Sequence, residues 1–508
     1  MNHPALEPAE FDPFAGDALE RVIPTSEAQR EVWLADKLSP QASLAFNESV
    51  KLRLSGPLDT AGLRGALDAL VKRHEALRCT IGPDGTDMLV SAAGSMSLAV
   101  VDLRGLAPEE KQHQLDKAAV EAVETPFSLE QGPLFRARLF QLEDAEHLLL
   151  MTAHHIVCDG WSWGLITEDL GALYAEQRGE APGPDPAPSY ADYVAWEAAQ
   201  ASTPEMAEHQ RFWLGCFAGA SLPSLDLPAD RPRAPVRTFD SRRIDHVLDA
   251  DLVAQVRQLG AKAGASVFAT LFSGFAATLG RLSGEDDLVI GVPAAGQSAS
   301  GITGLVGHCV NLLPVRTAVD TGMPFDAYVR RSGTALLDAF DHQTLTYGTL
   351  LQKLPVRRDP SRLPLVSVMF NVDQAVKGSH SAFPGLSAEL TANPRRFENF
   401  ELFVNAAQEN GGLRLECQYN TDLFDAATVE RWMGAYEALL RAAVASPGQT
   451  IGQLDWLTPS ETTRLHALQP VRTPLPAGEL MHSAFVRQAA LSPDRVALRD
   501  GDALLTYQ

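Results

Sequence analysis

Two adjacent histidines and, beyond them, an aspartate and a glycine, His154-His155-x-x-x-Asp159-Gly160, stand inside the stretch Leu148 to Gly164, LLLMTAHHIVCDGWSWG. An imidazole that titrates near neutrality can take a proton from an attacking amine or hydroxyl, the task of a general base, and acyl transfer is the natural chemistry for it. The apolar run Leu148 to Ala153 is too short for a helix and is bounded by Glu143-Asp144-Ala145-Glu146, so it reads as a buried strand. Neighbouring strand side chains face opposite sides, so the two imidazoles do not converge on one cleft. One is left for chemistry and one for support, and no metal is expected between them. Asp159-Gly160 turns the chain, after which Leu165, Ile166, Leu170, Leu173 and Tyr174 give the next segment a helical apolar stripe. Cys158 closes an apolar run and reads as a packed thiol rather than a nucleophile; Ser162, at a helix start, reads as a cap.

HHxxxDG is the hallmark of the condensation domains of nonribosomal peptide synthetases, and the resemblance continues in order along the chain from residue 22 to about 460. Ser26-Glu27-Ala28-Gln29-Arg30-Glu31-Val32-Trp33 resembles the family's first motif, and Arg73-His74-Glu75-Ala76-Leu77-Arg78 its second. Tyr190 to Trp196 resembles the fourth, Gly304 to Arg316 with Val310-Asn311 the fifth, and Arg357 to Leu365, RRDPSRLPL, the last. The resemblance implies an α/β fold of two chloramphenicol acetyltransferase-like lobes in a V, with an active-site tunnel between them entered from both faces. It also implies amide formation between a carrier-bound acyl or aminoacyl thioester and the α-amine of a carrier-bound aminoacyl acceptor. On that footing His155 is the catalytic residue. His154, Asp159, Gly160, Trp161 and Ser162 support it, with Asp159 fixing the loop and the Gly160 amide available to an oxyanion; Arg78, Asn311, Ser361 and Arg362 are secondary candidates. Many relatives carry Gly-Arg where this chain has Gly296-Gln297, so a cation for Asp159 must come from elsewhere, with Arg281, Arg316 and Arg78 as candidates. His308, where the family usually has an apolar or aromatic residue, reads as structural or exposed. Epimerisation domains share the motif and remain an alternative, as does a non-catalytic recruitment platform. The DxxxxD of cyclising relatives and the extra histidine pair of bifunctional ones are absent.

The elements that must position these groups follow from periodicity. Leu134 to Leu142 and Leu148 to Ile156 form a hairpin, with the motif on an interior strand. Leu63, Leu67, Leu70, Val71, His74 and Leu77 mark an amphipathic helix, with His74 as a packed residue. Leu222 to Arg237, LPSLDLPADRPRAPVR, is a Pro-rich connection between two α/β halves. In the second half Ala250 to Leu259 and Ser266 to Leu282 are helix-like, and Asp287 to Pro293 and Val366 to Asn371 strand-like; Asp422-x-x-Asp425 reads as a turn and helix cap. The division expected is a tail at 1–21, one lobe at 22–196, a second at 197–457 whose connecting segment runs to about 240, a linker at 458–477, and at 478–508 a truncated start that resembles an adenylation domain.

Composition narrows the partners. Among 508 residues, Lys plus Arg total 42 and Asp plus Glu 64, a net charge of -22, which disfavours nucleic acid. Five scattered cysteines without CxxC spacing fit reduced thiols in the cytoplasm, and no stretch has the ~18 apolar residues of a membrane span. There is no phosphate loop, zinc-ligand cluster or carrier-type GGxS serine. No tightly bound cofactor is expected. The resemblance implies substrates presented on the 4'-phosphopantetheine arms of donor and acceptor carrier proteins and a downstream adenylation domain in the same polypeptide. If Met1 is the natural start, the donor arrives in trans, with the acidic tail as a docking element. As a fragment the chain is expected to be monomeric.

Overall fold

The apolar run before the histidines is the middle of a sheet. In the computed structural model, which describes residues 19–94, 96–219, 222–356, 359–373, 383–469, 478, 480 and 482–508, the first half contains β1 (Leu19–Pro24), α1 (Glu27–Asp36), α2 (Pro40–Leu44), β2 (Asn47–Ser55), α3 (Thr60–Arg73), β3 (Cys79–Ile81), β4 (Asp87–Ser91), β5 (Ala99–Asp102), α4 (Pro108–Glu124), β6 (Phe135–Glu143), β7 (Glu146–His154), α5 (Gly160–Gln177), α6 (Tyr190–Gln200) and α7 (Pro204–Cys216). The second half continues with β8 (Ser241–Leu248), α8 (Ala250–Ala263), α9 (Val267–Ser283), β9 (Asp287–Ala295), α10 (Gly296–Ser300), β10 (Val310–Ala318), α11 (Phe325–Asp341), α12 (Tyr347–Lys353), β11 (Val368–Val372), β12 (Ser387–Ala392), β13 (Leu402–Glu409), β14 (Gly412–Asn420) and α13 (Ala426–Ala445). Arg357 and Arg358 of the last motif, residues 1–18 of the tail and residues 470–477 of the linker lie outside the described residues.

β7 is the central strand of a five-stranded sheet ordered β12-β2-β7-β6-β5. It is fully flanked, with β2 on one side and β6 on the other, so its backbone groups are paired and its side chains buried on both faces. That double burial is why the sequence reads as a continuous apolar run. α5 and α3 cover one face through Ile166, Leu170, Leu67 and Leu70. A six-stranded sheet, β10-β9-β11-β13-β14-β8, forms the second lobe; α9, buried along nearly its whole length, packs on it with α8, α11 and α13. β1, β4 and β3 make a small third sheet.

The division at residue 196 is not a clean physical boundary. β12, from the second half, pairs antiparallel with β2 from Ser387↔Ser55 to Ala392↔Val50, and Phe383, Leu386 and Ala388 enter the first lobe's core. The strand expected at 366–371 starts two residues later, and Asp425 stands at the N-terminus of α13 without a side-chain capping bond, its carboxylate paired instead with Arg231.

The described chain separates into two compact units, residues 1–457 and 458–508. The second has helices at Pro459–Ala467 and Ser483–Leu491 and a hairpin of Val496–Asp500 with Ala503–Thr506. All five cysteines are free thiols. No single helix among the described residues is long and apolar enough to cross a membrane.

Candidate active site

β7 ends at His154, and the chain then tightens into a turn through Ile156 and Val157 before α5 begins. His154 points inward. It is fully buried between the rings of Phe46 and Phe127, and its Nδ1 accepts the Ile156 N–H at 3.2 Å, which puts its proton on Nε2, 3.4 Å from Asp36. Burial holds this ring below the ordinary histidine range, so it is a neutral structural group.

His155 turns the other way and keeps 21% of its side chain exposed. Its backbone N–H donates to Phe46 O, and its Nδ1 lies 2.8 Å from the Cys158 carbonyl. A carbonyl only accepts, so Nδ1 carries the hydrogen and the lone pair is left on Nε2. Cys158 itself is completely buried, and burial pushes its thiol far up, which removes it as a nucleophile.

Asp159 anchors the loop. It is the N-cap of α5, its Oδ1 accepting from the Ser162 N–H at 2.8 Å and the Ser162 hydroxyl at 2.7 Å. Ser162 is therefore not the cap; it sits in the first turn and serves the cap. Its oxygen also meets the Gly307 carbonyl at 2.9 Å and the Gly307 N–H at 3.0 Å. Asp159 Oδ2 accepts from Gln297 Nε2 at 2.9 Å and the Cys309 N–H at 3.0 Å. None of the three candidate arginines pairs with it. Arg281 donates to the carbonyls of Ile451 and Leu454, Arg316 pairs with Asp287, and Arg78 with Glu20. The residue that replaced an arginine, Gln297, occupies the place itself. Burial still pushes the Asp159 carboxyl up, against the pull of its donors from Gln297, Ser162 and Cys309.

Gly160 is exposed at the start of α5, with no atom within 4 Å of where a Cβ would stand. Trp161 donates its indole N–H to the Thr303 carbonyl at 2.9 Å and leaves part of its ring exposed. The secondary candidates are spent elsewhere. Arg78 also reaches the carbonyls of Lys72 and Ser91, and Asn311 clamps Gln343, Leu345 and Tyr347. Ser361 bonds Asp359, and Arg362 bonds Ser224 and Asp226. None of these partners belongs to the histidine motif.

Two cavities lie on other seams. One of about 340 Å³ is lined by Ser361, Arg362, Arg233 and Arg237. The other, about 580 Å³, is lined by Glu27, Tyr193, Glu197, Asn311 and Thr346. His155 lines neither.

Sequence reasoning missed Glu48, a neighbour of His155, and its partner Arg395, and undervalued His308. His308 is buried edge-on against the His155 ring, centroids 4.7 Å apart, and burial drives its pKa well down, so it is neutral. Glu48, on β2, places Oε1 3.7 Å from His155 Nε2. That oxygen also accepts from Arg395, which follows β12, and its Oε2 from the Trp163 indole N–H at 3.2 Å. The polar triplet Asn47-Glu48-Ser49 opening an otherwise alternating strand was a signal of sorts, since buried charged residues are rarely idle. Arg395 had none.

Comparison with known proteins places the family and the fold. The family model described as Condensation domain matches residues 19–466. Chondramide synthase cmdD of Chondromyces crocatus is 32% identical over 494 residues, 96% of this chain and 12% of that protein. Phosphinothricin tripeptide synthetase PhsC of Streptomyces viridochromogenes is 32% identical over 494 residues, 96% of this chain and 45% of its own length. The chain thus spans less than half the length of these curated relatives. The first condensation domain of the CDA synthetase superposes with a TM-score of 0.74 at 23% identity, covering 86% of this chain and all of that one, so the fold is the same.

Proposed function

We propose, from the premise that this chain belongs to the condensation-domain family of the nonribosomal peptide synthetases, that it forms an amide bond with His155 Nε2 as the group that meets the attacking amine. The observation that carries this is the Nδ1 contact with the Cys158 carbonyl, which fixes the tautomer and leaves the lone pair on Nε2, in a ring that keeps part of its surface exposed. The α-amine of an acceptor attacks the thioester carbonyl of a donor. The N–C bond forms, the C–S bond breaks, His155 relays the amine's proton and the departing thiol takes it up. A thioester is already activated, so aligning two tethered reactants supplies much of the acceleration, worth ~7 kcal/mol or more. Asp159, Ser162 and Gln297 hold the loop that presents His155, and the Gly160 amide stands open at the N-terminus of α5, where an oxyanion is favoured.

The donor and acceptor reach this site on the phosphopantetheine arms of carrier proteins, through openings between the lobes on either side of His155. Residues 478–508 form the opening of an adenylation domain that supplies the acceptor, and the unit works as a monomer in the cytoplasm. No bound metal or cofactor takes part in the reaction as proposed.

The test is His155→Ala with both carriers loaded, followed by intact mass of the acceptor carrier. Product formation should fall about 10²- to 10⁴-fold while thermal unfolding is unchanged. A folded variant with full activity would overturn the assignment.

A further inference from the structure

Glu48 is a charged side chain at the buried opening of an interior strand, 90% of its side chain hidden, and its position is over-determined. Arg395 holds Oε1 and Trp163 holds Oε2. Arg395 is in turn fixed by Glu398 at 3.0 Å. Both carboxylate oxygens thus face donors, a guanidinium and an indole N–H. Its Oε1 stands 3.7 Å from the lone-pair side of His155, too far for a hydrogen bond between the two. That gap fits one intervening donor: a nitrogen ~2.9 Å from each atom bridges them.

We infer that Glu48 is a second catalytic residue, which binds the attacking nitrogen of the acceptor and makes the site select an amine over a hydroxyl. This rests on the reading of His155 as the group that meets the nucleophile. When a primary amine adds to the thioester carbonyl, its nitrogen becomes cationic and carries two hydrogens. One passes to His155 Nε2; the other is directed at Glu48 Oε1, whose negative charge stabilises the cation while the C–S bond breaks. A hydroxyl has a single hydrogen. Once that faces His155, the remaining lone pairs of its oxygen face a carboxylate, which repels them. The buried pair with Arg395 also ties the segment after β12 to β2, so the catalytic part must be separated from a purely structural one.

The acceptor's nucleophile separates them. The full chain is given an N-acetyl-alanyl thioester donor on one phosphopantetheinylated carrier, with alanyl or lactyl thioester on the other, and amide and ester products are read by intact mass. For Glu48→Gln, nearly isosteric and still able to accept from Arg395, the amide rate should fall about 30-fold, the size of one charge-assisted hydrogen bond, and the ester rate should hold or rise, because the charge that repels the hydroxyl oxygen is gone. Equal loss on both acceptors, the mark of a structural residue, would overturn the inference, as would no loss on either. If Glu48→Gln fails to fold, Glu48→Asp is read by the same ratio: its charge is kept but withdrawn by a methylene, so an unchanged amide-to-ester ratio refutes the role. His155→Ala runs alongside. Retained activity there refutes the reading of His155, whereas loss there with an unchanged ratio in Glu48→Gln refutes only the role of Glu48.

Discussion

Asp159 shows how a buried carboxylate is satisfied without a cation. Four neutral donors converge on it, two from Ser162 and one each from Gln297 and Cys309. The rule that a buried charge needs an opposite charge pointed the sequence reading at arginines that lie elsewhere. Two of the four come from positions 138 and 150 residues away, and nothing in a linear pattern marks them. Asp159→Asn tests the arrangement. An amide keeps one acceptor oxygen and turns a donor toward Cys309 N–H and Gln297 Nε2, so two buried donors lose their acceptor. The cost should be about 2–4 kcal/mol, read as a lowered urea midpoint at pH 7. A shift below a quarter of that would mean the pocket takes up water or rearranges at little cost. What was legible at this scale was that the two imidazoles part, although His155 turns away in the bend after β7 and not by strand alternation. His308 was legible as a residue and not as a neighbour.

At the scale of elements, the hairpin β6–β7, the helix after the motif and the strands β9 and β11 were readable from period and punctuation. The partner of β12 was not: alternation identifies a strand, but only the folded register tells that residues 387–392 leave their own lobe for β2. The loop from α10 to β10 is the other case. Neither Gly304 nor Gly307 in it has a positive φ. Gly307 is there for close approach. A Cβ would lie 2.4 Å from the ring of Tyr190, which is fully buried and donates its hydroxyl to the His308 carbonyl at 2.6 Å. With that ring unable to step aside, Gly307→Ala should cost about 1–3 kcal/mol and loosen Ser162 and Asp159 with it. Gly304→Ala, whose added carbon first meets Pro188 at 3.5 Å, is the control and should melt like the parent. Differential scanning calorimetry of the two variants decides it, and equal melting would show that the loop, not the ring, yields.

At the scale of the whole first unit, the two α/β halves were visible as a repeated alternation of helix and strand, but the chemistry of their seam was not, because its partners lie more than 300 residues apart in the chain. Glu27 and Glu31 on α1 reach across to the turn before α12 and its first residues. Glu27 accepts from the hydroxyls of Thr346 and Thr349, and Glu31 from the Gly348 N–H at 2.8 Å. Glu197 on α6 accepts from the Glu27 N–H, which brings a third carboxylate to the same place. Burial, with the charge of Glu27 and Glu197 adding to it, pushes the Glu31 carboxyl from its ordinary 4.5 up to about 7, against the pull of its hydrogen bonds. The unfolded chain therefore releases this proton near pH 4.5 and the folded one only near 7. Its contribution to stability is complete below the lower value, declines as pH rises between the two, and is gone above the higher, because the folded state must then hold an ionised group it has desolvated. Glu31→Gln keeps an acceptor for Gly348 and has no proton to lose. It should match the parent in urea at pH 4, exceed it by about 2–3 kcal/mol at pH 8, and flatten the loss of stability between them. An undiminished slope in the variant would place the titration elsewhere, with Glu197, whose carboxyl burial also raises, as the next residue to replace.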